Sequence, residues 1–195
     1  MTPAQIRKHM RQQRRALSDN ERTHYAQQLA SEFAKTRQFR NSRHIACYMA
    51  ADGEVDLTPL MRRAWHMGKT VYLPVLNGPH QKSLFFAAYQ EGDALDLNRY
   101  RIPEPAISAR ERVSAMKLDL VLTPLVAFDN QGNRLGMGAG YYDRTFAFLQ
   151  HRQFWIRPRL IGVAYSFQQA DQLTVQPWDV PLYGIITESF FSTFV

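Results

Sequence analysis

The stretch RLGMGAGYYDR, residues 134–144, places glycines at 136, 138 and 140, tyrosines at 141 and 142, and ends on Asp143 and Arg144. Glycine tolerates positive φ and carries no side chain, so such a run lets a ligand reach main-chain N–H groups that other residues would screen. Arg134 and Arg144 bracket the run with positive charge, while Asp143 would repel a phosphate held there unless something came between them. Magnesium does so, because Mg²⁺ typically joins one or two carboxylates to substrate phosphates. The loop therefore reads as a cradle for a Mg-nucleotide. Its spacing is neither the dinucleotide fingerprint nor a P-loop ending in Gly-Lys-Ser/Thr. A tight turn that only joins a strand to a helix is the alternative.

Several elements must position that loop. Upstream lies DLVLTPLVAF (119–128), an almost unbroken apolar run of the kind shown by a strand covered on both faces. Downstream, YYDRTFAFLQ (141–150) sets Tyr142, Phe146 and Leu149 on one face of a helix. The local order is strand, glycine loop, helix, and a helix start with free N–H groups suits an anion. HIACYMA (44–50) predicts another strand and TVYLPVL (70–76) the next. Between them TPLMRRAWHMG (58–68) predicts a helix with Thr58 as cap, Pro59 in its first turn and Gly68 as its stop. SLFFAAY, RLIGVAYS and GIITES supply three more strands. This alternation predicts an α/β fold, a single three-layer α/β/α sandwich with a mostly parallel sheet, over residues 1–195. Ligands of such sheets gather at the carboxyl ends of the strands, where ADGEVD (51–56) brings Asp52, Glu54 and Asp56. The alternative for those acids is a solvated turn with a carboxylate at a helix start.

At the N-terminus, Thr2, Pro3 and Gln5 are the cap, first-turn proline and capping-box partner of a helix. Ile6, Met10 and Leu17 form its apolar stripe with Arg7, Arg11 and Arg14 alongside, so the stripe would dock and the arginines would overlook what it docks against. SDNE, from Ser18, is a second capping box, for a helix through Tyr25, Leu29 and Phe33. The net charge of +7 admits an RNA partner, and the basic helix reads as a solvated face, an anion contact or an RNA contact. RQFWIRP (152–158) has no RNP-like aromatic pattern and reads as a surface loop. The single cysteine, Cys47, excludes a disulfide framework and, inside an apolar run, reads as core. No apolar run reaches membrane-span length and MTPAQIRKHM lacks a signal-peptide core, which predicts a cytoplasmic protein, monomeric, with small molecules rather than membrane or nucleic acid as partners. None of the histidines has zinc-ligand spacing and there is no Gly-x-Ser-x-Gly elbow, so metal-water hydrolysis and serine acyl transfer lose ground.

Taken in order, IRKHMRQQRRAL, YMAADGEVD, VYLPV, IPEP, LTPLVAFDNQGNRLGMGAGYYDR, IGVAYSFQ, PWDVPL and ITE resemble the 5-formyltetrahydrofolate cyclo-ligase (methenyltetrahydrofolate synthetase) family over nearly the whole chain. The resemblance implies ATP- and Mg²⁺-dependent cyclisation of 5-formyltetrahydrofolate to 5,10-methenyltetrahydrofolate, with release of ADP and phosphate. It implies that Arg7, Arg11, Arg134, Leu135, Gly136, Met137, Gly138, Ala139, Gly140, Tyr141 and Tyr142 hold ATP. It further implies that Asp143 and Asp179 bind Mg²⁺, that Ala51, Glu54, Asp56 and Tyr142 meet the folate, and that Arg134, Tyr142, Asp143 and Arg144 serve the catalysis. Two departures stand out. The family's N-terminal lysine falls near Pro3 and Ala4, leaving Lys8 or Arg11 to substitute, and Arg101 in RIPEP stands where the family often has glycine. A nucleotide- or RNA-binding module without turnover is the alternative class, and a sugar-phosphate isomerase or CoA-transferase relative a third, since fold alone excludes neither. The acid pair Asp143 and Asp179 discriminates, because a passive basic RNA binder does not need it.

Overall fold

In the computed structural model, which describes residues 1–78, 81–151 and 157–194, the apolar runs lie side by side as expected. The strands are β1 (His44–Ala46), β2 (Thr70–Leu76), β3 (Leu84–Ala88), β4 (Leu95–Leu97), β5 (Pro103–Pro105), β6 (Leu120–Pro124), β7 (Ala127–Phe128), β8 (Arg134–Leu135), β9 (Arg159–Val163), β10 (Gly184–Ile186) and β11 (Phe191–Thr193). The helices are α1 (Pro3–Ala16), α2 (Asp19–Lys35), α3 (Arg37–Arg40), α4 (Thr58–His66) and α5 (Tyr141–Phe146). One sheet runs β11-β10-β9-β6-β1-β2-β3. Its neighbours from β10 to β2 are parallel, and only the edge strands β11 and β3 run antiparallel.

Alternation along the strands divides the core in two. Val71, Leu73, Leu120, Leu122 and Ile161 face α2 and α4, packing on Leu29, Phe33, Leu60 and Ala64. Tyr72, Phe86, Val121, Leu160 and Ile185 face the other way, toward Phe146 of α5 and the short 3₁₀ segment holding Ala115. Three layers result, as period-2 patterning on a doubly covered sheet requires. Among the described residues no helix is long and apolar enough to cross a membrane.

Local chemistry explains most boundaries, and in three places it redraws them. The capping boxes Thr2–Gln5 and Ser18–Glu21 are both formed. Thr58 is not the cap of α4 but its first residue: Asp56 Oδ1 accepts from the Thr58 N–H at 2.9 Å and from its hydroxyl at 2.7 Å. The run DLVLTPLVAF is not one strand. Its first half is β6, after which the chain leaves the sheet at Pro124 and β7 pairs with β8 as a separate hairpin. The α1 stripe also divides: Ile6 and Met10 dock on Val126, Ala127 and Leu173, while Leu17 packs against the α2 and α4 core. Of RQFWIRP, residues 152–156 lie outside the described residues. Arg157 is ion-paired with Asp119 at 2.7 Å.

Because Asp56 supplies the first-turn N–H of α4 with its acceptor, Asp56→Ala is expected to lower stability by about 1 kcal/mol, the usual cost of losing a helix-start side-chain acceptor. Urea unfolding followed by circular dichroism measures it, and an unchanged midpoint would remove the capping role.

Candidate active site

A cavity of about 680 Å³ opens where the sheet ends. Tyr48 and Met49 follow β1, Pro74 and Leu76 close β2, and Pro124 and Leu125 end β6, so it lies at the carboxyl ends of the parallel strands, where α/β sheets bind ligands.

One wall is the hairpin and the glycine loop. The hairpin tip is built on Asp129, wholly buried. Its Oδ1 accepts from the N–H groups of Gln131 and Asn133, both at 3.0 Å, and its Oδ2 from Asn133 Nδ2 at 2.9 Å and the Leu173 N–H at 3.1 Å. That fixes where β8 delivers Arg134. The Arg134 guanidinium, its side chain only 5% exposed, pairs with Asp143 Oδ1 and donates to the Val180 carbonyl. Burial lowers its pKa from the usual arginine value, opposed by the charges of Asp143 and Asp179. The loop between Arg134 and Asp143 is thus closed at its base. Within it Gly138 has φ +98° and Gly140 φ +66°, conformations that L side chains rarely adopt. Arg7 of α1 reaches across and its Nε donates to the Gly136 carbonyl at 2.8 Å.

The opposite wall is the turn 51–54. Glu54 has a side chain 14% exposed, and its Oε2 accepts from the Ala51 N–H at 3.1 Å. Burial pushes its carboxyl up to about 7, against the lowering pull of the Ala51 N–H and the Arg14 guanidinium; the Asp52 charge adds to the rise. The phenols of Tyr48 and Tyr142 beside it are both raised, first by burial and then by the Glu54 charge. Asp52 gathers three arginines of α1: Arg11 Nε at 2.6 Å, Arg14 Nη2 at 3.1 Å and Arg15 Nη2 at 2.5 Å. Burial alone would raise Asp52, but the hydrogen bonds from Arg11 and Arg15 outweigh it and hold the carboxyl below its usual range. The hairpin β4–β5 closes the third side with Asn98, Tyr100 and Glu104.

Most residues implied by the resemblance meet here. Arg7, Ala51, Glu54, every residue from Arg134 to Asp143, and Asp179 line the cavity. Three do not. Arg11 is held by Asp52, Asp56 starts α4, and Arg144 donates to the Lys82 and Ala139 carbonyls, bracing the glycine loop from behind. Pro3, near which the family lysine falls, lines the cavity, as does Arg7 from the same helix. Arg101 sits at φ +60°, which explains why glycine suits that position, and it is not a lining residue. Sequence reading passed over Tyr48, Glu104 and Trp178, although each stands inside a stretch it singled out; it set Arg14 with Arg7 and Arg11 overlooking the surface on which the α1 stripe docks, with no signal that the chain would bury it.

Glu54 gives a signed expectation. Its folded-state pKa lies above the unfolded value of 4.5, so the folded protein binds the proton more tightly and its stability falls as pH rises from 4.5 through about 7. Glu54→Gln removes that penalty. The variant is expected to gain on the parent by up to about 3 kcal/mol between pH 4.5 and pH 8, at about 1.4 kcal/mol per pKa unit. Urea titrations of both proteins at the two pH values test it, and a constant difference would show that Glu54 titrates normally.

The family model for the 5-formyltetrahydrofolate cyclo-ligase family matches residues 2–188. The 5-formyltetrahydrofolate cyclo-ligase of Escherichia coli K12 is 38% identical over 180 residues, covering 92% of this chain and 97% of the relative. That of Haemophilus influenzae is 38% identical over 164 residues, 84% and 86% of the two chains. Among solved structures, the NMR structure of Aquifex aeolicus 5,10-methenyltetrahydrofolate synthetase superposes with a TM-score of 0.82 at 32% identity, covering 100% of this chain and 93% of that one. The Mycoplasma pneumoniae 5,10-methenyltetrahydrofolate synthetase gives 0.73 at 28% identity, with 96% and 99% covered. A cavity lined by the glycine loop, in a chain alike over nearly its whole length with ligases of this name, places the protein in the 5-formyltetrahydrofolate cyclo-ligase family.

Proposed function

We propose that the chain closes 5-formyltetrahydrofolate to 5,10-methenyltetrahydrofolate, driven by ATP and releasing ADP and phosphate. The observation that carries this reading is one cavity with two chemically different ends. A glycine loop with Arg7, Arg134 and a carboxylate pair suits phosphates, and Glu54 with Tyr48 and Tyr142 suits a polar heterocycle.

The chemistry accounts for the parts. A formamide oxygen is a poor leaving group, so the γ-phosphoryl of ATP moves to it and ADP departs. The nitrogen at position 10 of the folate then attacks the activated formyl carbon, loses its proton, and phosphate leaves with the former formyl oxygen. No side-chain nucleophile takes part. Phosphoryl transfer needs positioning and charge neutralisation above all. Main-chain N–H groups of the glycine loop, Arg134 at its base and Arg7 against its carbonyl supply these from this chain. Among the described residues no group of three or more His, Cys, Asp and Glu could hold a metal by itself. Two carboxylates do fit Mg²⁺, which draws its remaining ligands from phosphates and water. Asp143 and Asp179 would hold it, and when bound it supplies further charge neutralisation. Asp143 has Oδ1 taken by Arg134 and the Val180 N–H, and Asp179 has Oδ2 on the Gln176 N–H, so each has a second oxygen to offer. On the folate side a carboxylate at Glu54 accepts hydrogen bonds from ring and amino N–H groups, while Ala51 and Tyr142 complete the contact.

Absorbance of the methenyl chromophore with purified protein, ATP, Mg²⁺ and 5-formyltetrahydrofolate is the direct test. Asp179→Asn, which leaves the Arg134–Asp143 pair intact, is expected to lower kcat about 100-fold with an unchanged circular dichroism spectrum, the usual scale for one lost transition-state electrostatic contact. Near-normal rates at saturating Mg²⁺ would sink the metal role.

Arg7→Ala separates this reading from an RNA-binding module. It is expected to raise the Michaelis constant for ATP several-fold more than that for the folate, with weak salt dependence. An RNA stripe would instead leave cyclisation alone and show the steep salt slope of several phosphate contacts.

A further inference from the structure

The proposed reaction leaves the most buried cation of the molecule unused. Arg14 is wholly buried, although a guanidinium out of water is costly and apolar replacement of buried ion pairs is often neutral or stabilising. Its Nη1 donates to the Leu125 carbonyl at 3.3 Å and lies 3.9 Å from Glu54 Oε1; its Nη2 donates to Asp52 Oδ2 at 3.1 Å. Its Nε is buried with no hydrogen-bond partner.

What Arg14 grips is the cavity wall itself. Leu125, Asp52 and Glu54 all line the cavity, on two segments that no strand pairing joins. Asp52 and Gly53 both have left-handed backbones, φ +51° and +75°, so the turn needs outside support. It lies directly on α1: a Cβ on Gly53 would stand 3.1 Å from the Arg14 carbonyl oxygen.

We propose that Arg14 is a positioning residue for folate binding: from α1 it fixes the Asp52–Gly53 turn against the Leu125 carbonyl and so sets how Glu54 presents its carboxyl to the cavity. The proposal rests on the reading that Glu54 meets the folate. Arg11 and Arg15 hold only Asp52. Arg14 alone reaches both acids and the backbone of the neighbouring segment.

The test is a double-mutant cycle on steady-state kinetics, with Arg14→Met, Arg14→Lys, Glu54→Gln and the pair Arg14→Met/Glu54→Gln. Arg14→Met leaves Asp52 paired with Arg11 and Arg15 and leaves Glu54 the Ala51 N–H. It is expected to raise the Michaelis constant for 5-formyltetrahydrofolate about tenfold, the scale of one lost hydrogen bond to a charged group, while that for ATP stays within about twofold. Lysine keeps the charge but cannot fork to separate acceptors, so Arg14→Lys should recover only part of the loss. Because the effect passes through Glu54, the double variant should match Glu54→Gln alone. Effects of the two single changes that multiply in the double variant, or equal rises in both Michaelis constants, would make Arg14 a general support of the fold and overturn the proposal. If Arg14→Met does not fold, Asp52→Asn, which loosens the same turn from its other end, is read in the same cycle with the same two outcomes. The underlying reading fails separately: an unchanged folate constant in Glu54→Gln removes Glu54 from the folate site, whereas a raised one beside a silent Arg14→Met overturns the positioning role alone.

Discussion

Arg134 is almost entirely out of water, and a buried cation is tolerable only beside an anion with its donors satisfied. Asp143 and the Val180 carbonyl meet that demand. Much of the site follows from this one pairing. The two residues lie nine positions apart, so their contact closes the glycine loop into a ring, and the ring fixes where its main-chain N–H groups can point. The same contact holds the segment around Val180, which brings Asp179 to the cavity. The loop's backbone is too bare to organise itself. The clasp at its base, Arg144 behind it and Arg7 across it do so instead.

Helix α1 plays the corresponding part for the whole cavity. Its apolar contact with the domain is small, Ile6 and Met10 against Val126, Ala127 and Leu173. Its polar contacts are many and divide by height along the helix. Arg7 in the first half meets the glycine loop, while Arg11, Arg14 and Arg15 in the second half meet the turn that carries Glu54. One rigid element therefore touches both the glycine-loop wall and the wall that carries Glu54, at a spacing set by the 1.5 Å rise of a helix. Four of the five cations in the basic N-terminal run, Arg7, Arg11, Arg14 and Arg15, take part in this internal bracing.

The fold was readable because its strands are short apolar runs between turn signals, and a doubly covered sheet leaves that pattern in the chain. TVYLPVL is β2 to the residue. DLVLTPLVAF misled because apolarity reports burial and not pairing: the run stays buried after Pro124, yet its partner changes from the sheet to β8. The glycine loop was legible from composition alone, since few other roles need three glycines between arginines. Arg14 was not. Helical spacing puts it alongside Arg7 and Arg11, and nothing in a sequence tells which of several arginines on one face will find acids folded over it from residues 52 and 54. Asp56 follows the alternative that the sequence left open, a carboxylate at a helix start. In the chain it is the twin of Glu54, two residues on, but the start of α4 claims its carboxylate.

Burial sets the chemistry around Glu54 through a single cause. The pocket that raises Glu54 to about 7 also keeps the phenols of Tyr48 and Tyr142 above their usual range. Tyrosines held neutral remain donors, whereas Glu54 passes from donor to acceptor near neutrality. A ligand edge offering N–H groups bonds to the ionised form and pulls the group back toward ionisation, so recognition and proton release become one equilibrium. At Glu54 desolvation acts against two opposing contacts. The Ala51 N–H and the Arg14 guanidinium both favour the carboxylate and oppose the burial that raises Glu54.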